Sequence, residues 1–372
     1  MKNMANWTDK RVLIIGAARQ GQALARYLTK HGARVTLNDN RMPLQMQDAQ
    51  AALQNVDVEW VLGSHSISLL DGKDLICISG GVPLDLPIIH EAQRRRIPLS
   101  NDTQIFLEAV PCQTIGITGS AGKTTTTTLV GRMAEAAFAG SENRVWVGGN
   151  IGDPLLNYVD EMKPDDIAIL EISSFQLDQM SISPNIAVVL NITPNHLDRH
   201  GTMDSYTAAK ARILQFQGND DIAILGREDA GAWALKNVST GKMFSFGSKL
   251  LAKNESGAYL LDNYIYLREE RGEIPLLDVN TIQLRGDHNI LNVLAACTIA
   301  YAAGFVADDM HSALEDFHGV PHRLEFVREW KGARWYNDSI ATTPERTMAA
   351  VRSFDEPIVL LLGGRDKKLP WD

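Results

Sequence analysis

A chain of 372 residues is too long for one ordinary domain, so two or three are expected. With 45% apolar and 22% charged residues it has the balance of a soluble globular protein. Its formal net charge of −9 argues against nucleic acid or an anionic membrane as the main partner. No apolar run approaches the ~20 residues of a membrane span, and the N-terminus lacks the apolar region of a signal peptide. Cys77, Cys112 and Cys297 are far apart in apolar settings. They read as reduced core residues of a cytoplasmic protein, with neither metal spacing nor a disulfide framework. Arg94-Arg95-Arg96 closes an amphipathic helix pattern and reads as a solvated last turn.

The first stretch, roughly 1–111, opens on the apolar run Arg11 to Ile15, which ends in Gly16. A helix is predicted from about Gln20 to His31, then a strand from Arg34 to Asn38 ending in Asp39. This is a βαβ unit with a turn glycine at Gly16 and a helix-packing glycine at Gly21. A dinucleotide fingerprint would also need glycine at position 18, which is Ala18, so a nucleotide other than a nicotinamide one fits better. Strands at Val58–Val61 and Leu75–Ile78 follow, the second leading into Gly80-Gly81. That glycine pair reads equally as a ligand loop at a strand's carboxyl end or as simple turn chemistry.

The central stretch, roughly 112–318, opens on Thr114 to Thr125. It reads as a buried strand, the glycine turn Gly119-Ser120-Ala121-Gly122, and a helix starting at Lys123-Thr124-Thr125. Such a turn aims backbone N–H groups at one spot beside a helix N-terminus, which suits phosphate. Lys123 adds a full positive charge, and the Thr124 hydroxyl is placed to ligate Mg²⁺. The usual first glycine of this cradle is replaced by Ile117. Val145–Val147 enters the glycine-rich loop Gly148-Gly149-Asn150-Ile151-Gly152. An apolar run then delivers Glu171 to the end of a central strand, where a carboxylate is costly unless paired or metal-bound. The strand Ile186–Ile192 leads to His196, and a helix from Ser205 to Gln215 carries Lys210. By spacing alone that lysine reads as a solvated face. Residues 222–284 read mainly as strands and turns, and a helix then opens with Asn289 and Asn292 on one face. Two amides there would hold a purine edge or cap the helix, and capping is the simpler reading.

The order of these motifs resembles the Mur ligases of peptidoglycan precursor synthesis, over the chain from Val12 to Trp371. The carriers are Thr118 to Thr124, Gly148 to Gly152, Leu170 to Leu177, Asn195 to His200, Ala208-Ala209-Lys210 and Gly286 to Asn289. The Ser173-Ser174-Phe175-Gln176-Leu177 string resembles the branch that adds glutamate to UDP-N-acetylmuramoyl-L-alanine. The resemblance implies an α/β protein of three domains. These are a Rossmann-like UDP-binding domain (1–111), a central P-loop ATP-binding domain with a parallel sheet (112–318), and an incomplete Rossmann-like domain (319–372). It implies that Gly119 to Thr125, Asn289, Asn292, Arg323 and Asp338 hold ATP. Thr124 and Glu171 would hold one Mg²⁺, and His196 with a carbamylated Lys210 a second. Arg19, Gln20, Asp39, Asn40, Arg41 and Gly81 would hold the UDP, and Asn150, Ser173 and Gln176 the muramoyl-alanine part. Lys367 matches a glutamate-binding lysine.

The implied reaction is ATP-dependent amide ligation through an acyl phosphate, with D-glutamate as the expected acceptor and a cytoplasmic monomer as the enzyme. The last stretch reads as one βαβ unit: a strand at Ala333–Asp338, a helix from Pro344 to Phe354, and a strand at Pro357–Gly364. The family's third domain continues beyond such a unit, so an inactive nucleotide-binding fragment is the competing expectation. Ile340 stands where the glutamate-adding branch usually has lysine. That departure keeps L-glutamate open as the acceptor. A folate-extending ligase is disfavoured, since such enzymes lack a separate UDP-binding domain.

Overall fold

The computed structural model describes residues 6–269 and 272–364. Its first sheet is wholly parallel, in spatial order β3-β2-β1-β4-β5. The strands are β1 (Arg11–Ile15), β2 (Arg34–Asp39), β3 (Val58–Leu62), β4 (Leu75–Ile78) and β5 (Leu99–Ser100). Val12 to Ile15 are fully buried, which is why β1 reads as a continuous apolar run rather than an alternation. Val12 and Ile14 join one core layer, Leu13 and Ile15 the opposite one. The spatial order reverses between β1 and β4. A crevice therefore opens at their carboxyl ends, where Gly16 and Ser79 lie.

The second sheet has nine strands, in order β14-β13-β12-β11-β10-β9-β6-β8-β7. They are β6 (Gln113–Thr118), β7 (Val145–Gly149), β8 (Ile167–Glu171), β9 (Ile186–Val189), β10 (Ile222–Gly226), β11 (Lys242–Phe246), β12 (Gly257–Leu261), β13 (Tyr264–Glu269) and β14 (Gly272–Asp278). The first seven run parallel, and β13 and β14 close one edge as an antiparallel hairpin. Ile115 and Ile117 pack with Leu129, Val130 and Met133 of the helix Lys123–Ala137. Ala168, Leu170, Ala187 and Val189 face the other layer, which is continuous with the core of the first sheet. The functional consequence lies in the order. β6 sits between β8 and β9, so the turn after β6 is flanked by the carboxyl ends of both neighbours.

A polar seam joins the two sheet units. Asn101 Nδ2 donates to the Gln176 carbonyl at 2.7 Å, and Gln176 Nε2 donates to Thr103 Oγ1 at 2.8 Å. The Ser181 N–H donates to Gln104 Oε1 at 2.9 Å, and Lys30 pairs with Asp160 at 2.5 Å. No described helix is long and apolar enough to cross a membrane.

The last stretch departs from the expected βαβ unit. β16 (Ala333–Asn337) pairs antiparallel with β15 (Glu325–Trp330), a strand the sequence reading did not anticipate. The helix Pro344–Val351 follows as expected. Residues 357–364 form no described strand, and Ile358 to Leu362 lie open to solvent, Val359 at 90% and Leu361 at 77%. An apolar run becomes a strand only where a neighbour offers a ladder. Lys367 lies outside the described residues.

Candidate active site

The turn after β6 is shaped before any ligand arrives. The Ser120 N–H donates to the Asn191 carbonyl at 3.0 Å and the Ala121 N–H to Asn191 Oδ1 at 2.8 Å. Ser120 Oγ donates to the Thr193 carbonyl at 2.9 Å, and Lys123 Nζ to the Gly119 carbonyl at 2.8 Å. Gly122 sits at φ +82°, and a Cβ there would lie 2.3 Å from Asn292 Oδ1. Both the backbone conformation and the space require glycine. The first helical bond runs from the Thr126 N–H to the Gly122 carbonyl. The N–H groups of Lys123, Thr124 and Thr125 therefore head the helix without intrahelical partners, as an anion site requires.

Around this turn the topology gathers charge. Glu171, at the end of β8, is 2% exposed. Its carboxylate accepts from Thr124 Oγ1 at 2.8 Å and from Asn150 Nδ2 at 2.9 Å. Lys210, on the helix Met203–Gln215, is 1% exposed rather than solvated, with Nζ 3.2 Å from Thr118 Oγ1. Burial, then the charge of Lys123, pushes the Lys210 ammonium well below its ordinary pKa, against the pull of Glu171. Lys123 is lowered by burial too, with Glu171 opposing. His196 caps the short helix Leu197–His200 in the left-handed conformation, at φ +53°. Burial and then Lys123 lower its pKa, favouring a neutral imidazole with a lone pair to give. Lys123, Glu171, His196 and Lys210 thus converge from four segments.

Beside the cradle lies a cavity of about 490 Å³. Ala121, Gly122, Thr125, Asn289, Asn292, Arg323 and Asp338 all line it, so seven of the positions assigned to ATP share one space. Asn289 and Asn292 do not cap their helix, contrary to the simpler reading. Gly286 stands at its N-cap position, and both amides are buried. Asn292 Nδ2 donates to Asn289 Oδ1 at 3.0 Å, and Asn289 Nδ2 to the Arg285 carbonyl at 2.7 Å. Burial lowers the Arg323 pKa, and its Nε finds no partner among the described residues. Burial raises Asp338, whose Oδ1 accepts from the Leu324 N–H. Ile340 lines the same cavity.

The positions assigned to UDP fall at three strand ends of the first sheet. Asp39 ends β2, and burial alone would favour its neutral acid. Two hydrogen bonds from Arg41, at 2.8 and 2.9 Å, and the Ala17 N–H at 2.9 Å instead hold its pKa at about 2. Asn40 and Gly81 are exposed. Gln20 Oε1 accepts from the Gly80 N–H at 2.9 Å, and Arg19 reaches the Gly152 carbonyl at 2.9 Å. Of the muramoyl-alanine set, Asn150 directly follows β7 and is held by the Glu171 carboxylate. Ser173 caps the helix Ser174–Leu177 in a capping box with Gln176. Gln176 is 1% exposed, and both ends of its amide bond protein, to Ser173 and Thr103. The structure places it in the seam rather than on an open surface.

Several residues of this region were missed from sequence. Asn191, which shapes the cradle, has no local signature because its partners lie 70 positions away. His288, Asp229 and Arg346 line the nucleotide cavity. His288 stood inside the Gly286 to Asn289 motif without being assigned to the site, and Asp229 and Arg346 carried no motif signal.

Residues 10–100 match the family described as "Mur ligase MurD-like, N-terminal domain", and residues 117–300 "Mur ligase middle domain". UDP-N-acetylmuramoylalanine–D-glutamate ligase of Clostridium botulinum (strain 657 / Type Ba4) is 37% identical over 363 residues, 97% of this chain and 77% of that protein. The chain belongs to the Mur ligase family. The protein of the same name from Thermoanaerobacter sp. (strain X514) is also 37% identical, over 98% of this Mur ligase and 79% of the relative. Among solved structures, a pseudomurein peptide ligase type C from Methanothermus fervidus aligns with TM-score 0.54 at 19% identity, covering 94% of this chain and 78% of that one. UDP-N-acetylmuramate-alanine ligase from Thermotoga maritima aligns with TM-score 0.53 at 20% identity, covering 92% and 77%. These structures share its fold. Membership makes the protein an ATP-dependent ligase, and the nicotinamide reading of the first sheet falls away.

Proposed function

We propose that this Mur ligase joins glutamate to UDP-N-acetylmuramoyl-L-alanine at the expense of ATP, in the cytoplasm and as a monomer. D-glutamate is the acceptor that the names of its 37% identical relatives support. The observation that carries the reading is the placement of Glu171 and Lys210 against the cradle between β8 and β9. Residues 1–111 would hold the UDP, 112–318 the ATP, and 319–372 part of the glutamate site, with Lys367 among its groups.

The substrate's alanine carboxylate oxygen attacks the γ-phosphorus of ATP, a P–O bond to ADP breaks, and an acyl phosphate forms. The amine of glutamate then attacks that carbonyl, the C–O bond to phosphate breaks, and the nitrogen releases a proton. Lys123 and the helix N-terminus neutralise the phosphates as they meet an anionic nucleophile. Asn289, Asn292, Arg323 and Asp338 hold the nucleoside end in its cavity.

Among the described residues no cluster of three or more His, Cys, Asp or Glu could hold a metal alone. The hard oxygens of Thr124 and Glu171 nevertheless suit Mg²⁺ completed by phosphate oxygens. A second ion would take His196 and Lys210, whose depressed pKa leaves an amine able to add CO₂ and become a carbamate. Bound there, Mg²⁺ would supply charge neutralisation and orientation for phosphoryl transfer.

The test is phosphate release by purified protein. UDP-N-acetylmuramoyl-L-alanine and D-glutamate should both be required, and equal release without either would overturn the proposal. A second reading, L-glutamate as acceptor, is favoured by Ile340 in the nucleotide cavity in place of a lysine. Faster turnover with the L enantiomer would establish it.

A further inference from the structure

The ring of Phe175 is held by three residues of one short turn. The Arg199 guanidinium carbon lies 3.8 Å from its centroid. The His200 ring is parallel to it within 3° at 5.0 Å, and the His196 ring meets it at 5.2 Å and 65°. A hydrogen bond of 2.9 Å between Ser174 Oγ and His200 Nε2 ties the same two segments. His196 needs such support, since its left-handed φ of +53° is a conformation that ordinary side chains adopt only at a free-energy cost.

The same turn reaches the first sheet unit. Arg199 Nη2 donates to the Val82 carbonyl at 3.0 Å. Val82 closes the glycine turn after β4, its N–H bonded to the Ser79 carbonyl at 2.9 Å, while the Gly80 N–H of that turn is fixed by Gln20. Phe175 belongs to the helix Ser174–Leu177, directly after Glu171 and pinned to Asn101 and Thr103 through Gln176. One guanidinium therefore spans the turn assigned to UDP, the segment after Glu171 and the turn that presents His196.

We propose that Arg199 and Phe175 are positioning residues that couple binding of the UDP-sugar to the orientation of His196. The proposal rests on the function given above. Neither side chain touches reacting atoms. Arg199 stacks as a flat cation on an aromatic face while its edge donates to a carbonyl, a combination a lysine ammonium cannot reproduce.

Two measurements test it: calorimetric titration with UDP-N-acetylmuramoyl-L-alanine without ATP or Mg²⁺, and kcat of phosphate release at saturating substrates. Arg199→Ala and Phe175→Leu should each weaken UDP-sugar binding by roughly two- to fivefold, the scale of one exposed cation–π contact. Each should lower kcat by about tenfold through misplacement of His196. ATP affinity should stay at the wild-type value. The double variant should lose less than the product of the two single losses, since the Arg199–Phe175 contact is removed in both. Phe175→Tyr keeps the ring and should restore both quantities, and Arg199→Lys should behave like Arg199→Ala. Additive losses, or wild-type binding and kcat in both single variants, would overturn the coupling. If Arg199→Ala does not fold, Arg199→Lys and Phe175→Tyr decide the matter by the same criteria. A wild-type protein that binds the UDP-sugar yet releases no phosphate would defeat the assigned reaction and leave the binding arm of this test intact.

Discussion

A lysine that is 1% exposed beside a second lysine lowers its free energy by shedding its proton or by acquiring negative charge. Lys210→Ala is expected to lower phosphate release by roughly 10²-fold or more, as loss of a group supporting a metal site does. Short carboxylic acids added to that variant should restore part of the rate, and unchanged activity would return Lys210 to a packing role. A different titration is set up at Asp102, which burial pushes up to about 7 despite the backbone N–H groups of Asp102 and Thr103 and a bond from Gln20. Between the ordinary carboxylate value and 7 the folded chain keeps a proton that the unfolded chain has released. Stability attributable to this group therefore falls as pH rises from about 4 to about 7 and is level above that. Asp102→Asn should flatten that slope in urea-midpoint measurements and stabilise the protein at pH 8 by on the order of 2 kcal/mol. A steeper slope in the variant would refute the assignment.

At the scale of elements, the ends of three neighbouring strands make the site, and one glycine sets their spacing. Gly149 on β7 pairs with Glu171 on β8, sits at φ +101°, and would place a Cβ 2.4 Å from the Glu171 carbonyl oxygen. Gly149→Ala should push β7 off β8 beside the carboxylate and displace Asn150 with it, lowering kcat by at least tenfold. Equal kcat in the variant would show that the strand end tolerates the shift. Strands such as β1, β6 and β8 were legible in the sequence because both of their faces are covered, so the chain spells them as unbroken apolar runs. β15 was not legible, since Glu325-Phe326-Val327-Arg328-Glu329-Trp330 mixes charge with apolar residues and every position but the first is exposed. Residues 357–364 look more like a strand than β15 does and are not one, because composition cannot reveal whether a partner is at hand. In the site, Lys123, Thr124 and Glu171 stood out because a local motif or a charge in an apolar run marks them. Lys210 looked like surface: Tyr206 shares its helix face one turn earlier, but the contact with Thr118, 92 positions away, forms only in the folded chain.

Over the whole molecule, the two large sheets share a core layer and a polar seam, so they are expected to unfold together. Gln176→Ala leaves Thr103 and the Ser173 N–H without their amide partner, a loss of about 2 kcal/mol. Calorimetry should show one main transition in the wild type and a midpoint lower by roughly 3 °C in the variant. Two resolved transitions in the wild type would mean that the seam does not hold the units as one. The exposed row Ile358-Val359-Leu360-Leu361-Leu362 has a consequence of another kind. Five consecutive apolar residues, the first two β-branched, with neither charge nor proline among them, form a segment on which other chains can stack. This row, far from the phosphate cradle, is therefore the expected route to self-association of the chain. Light scattering should rise with protein concentration, and a single Leu361→Lys exchange should suppress it without altering ATP affinity.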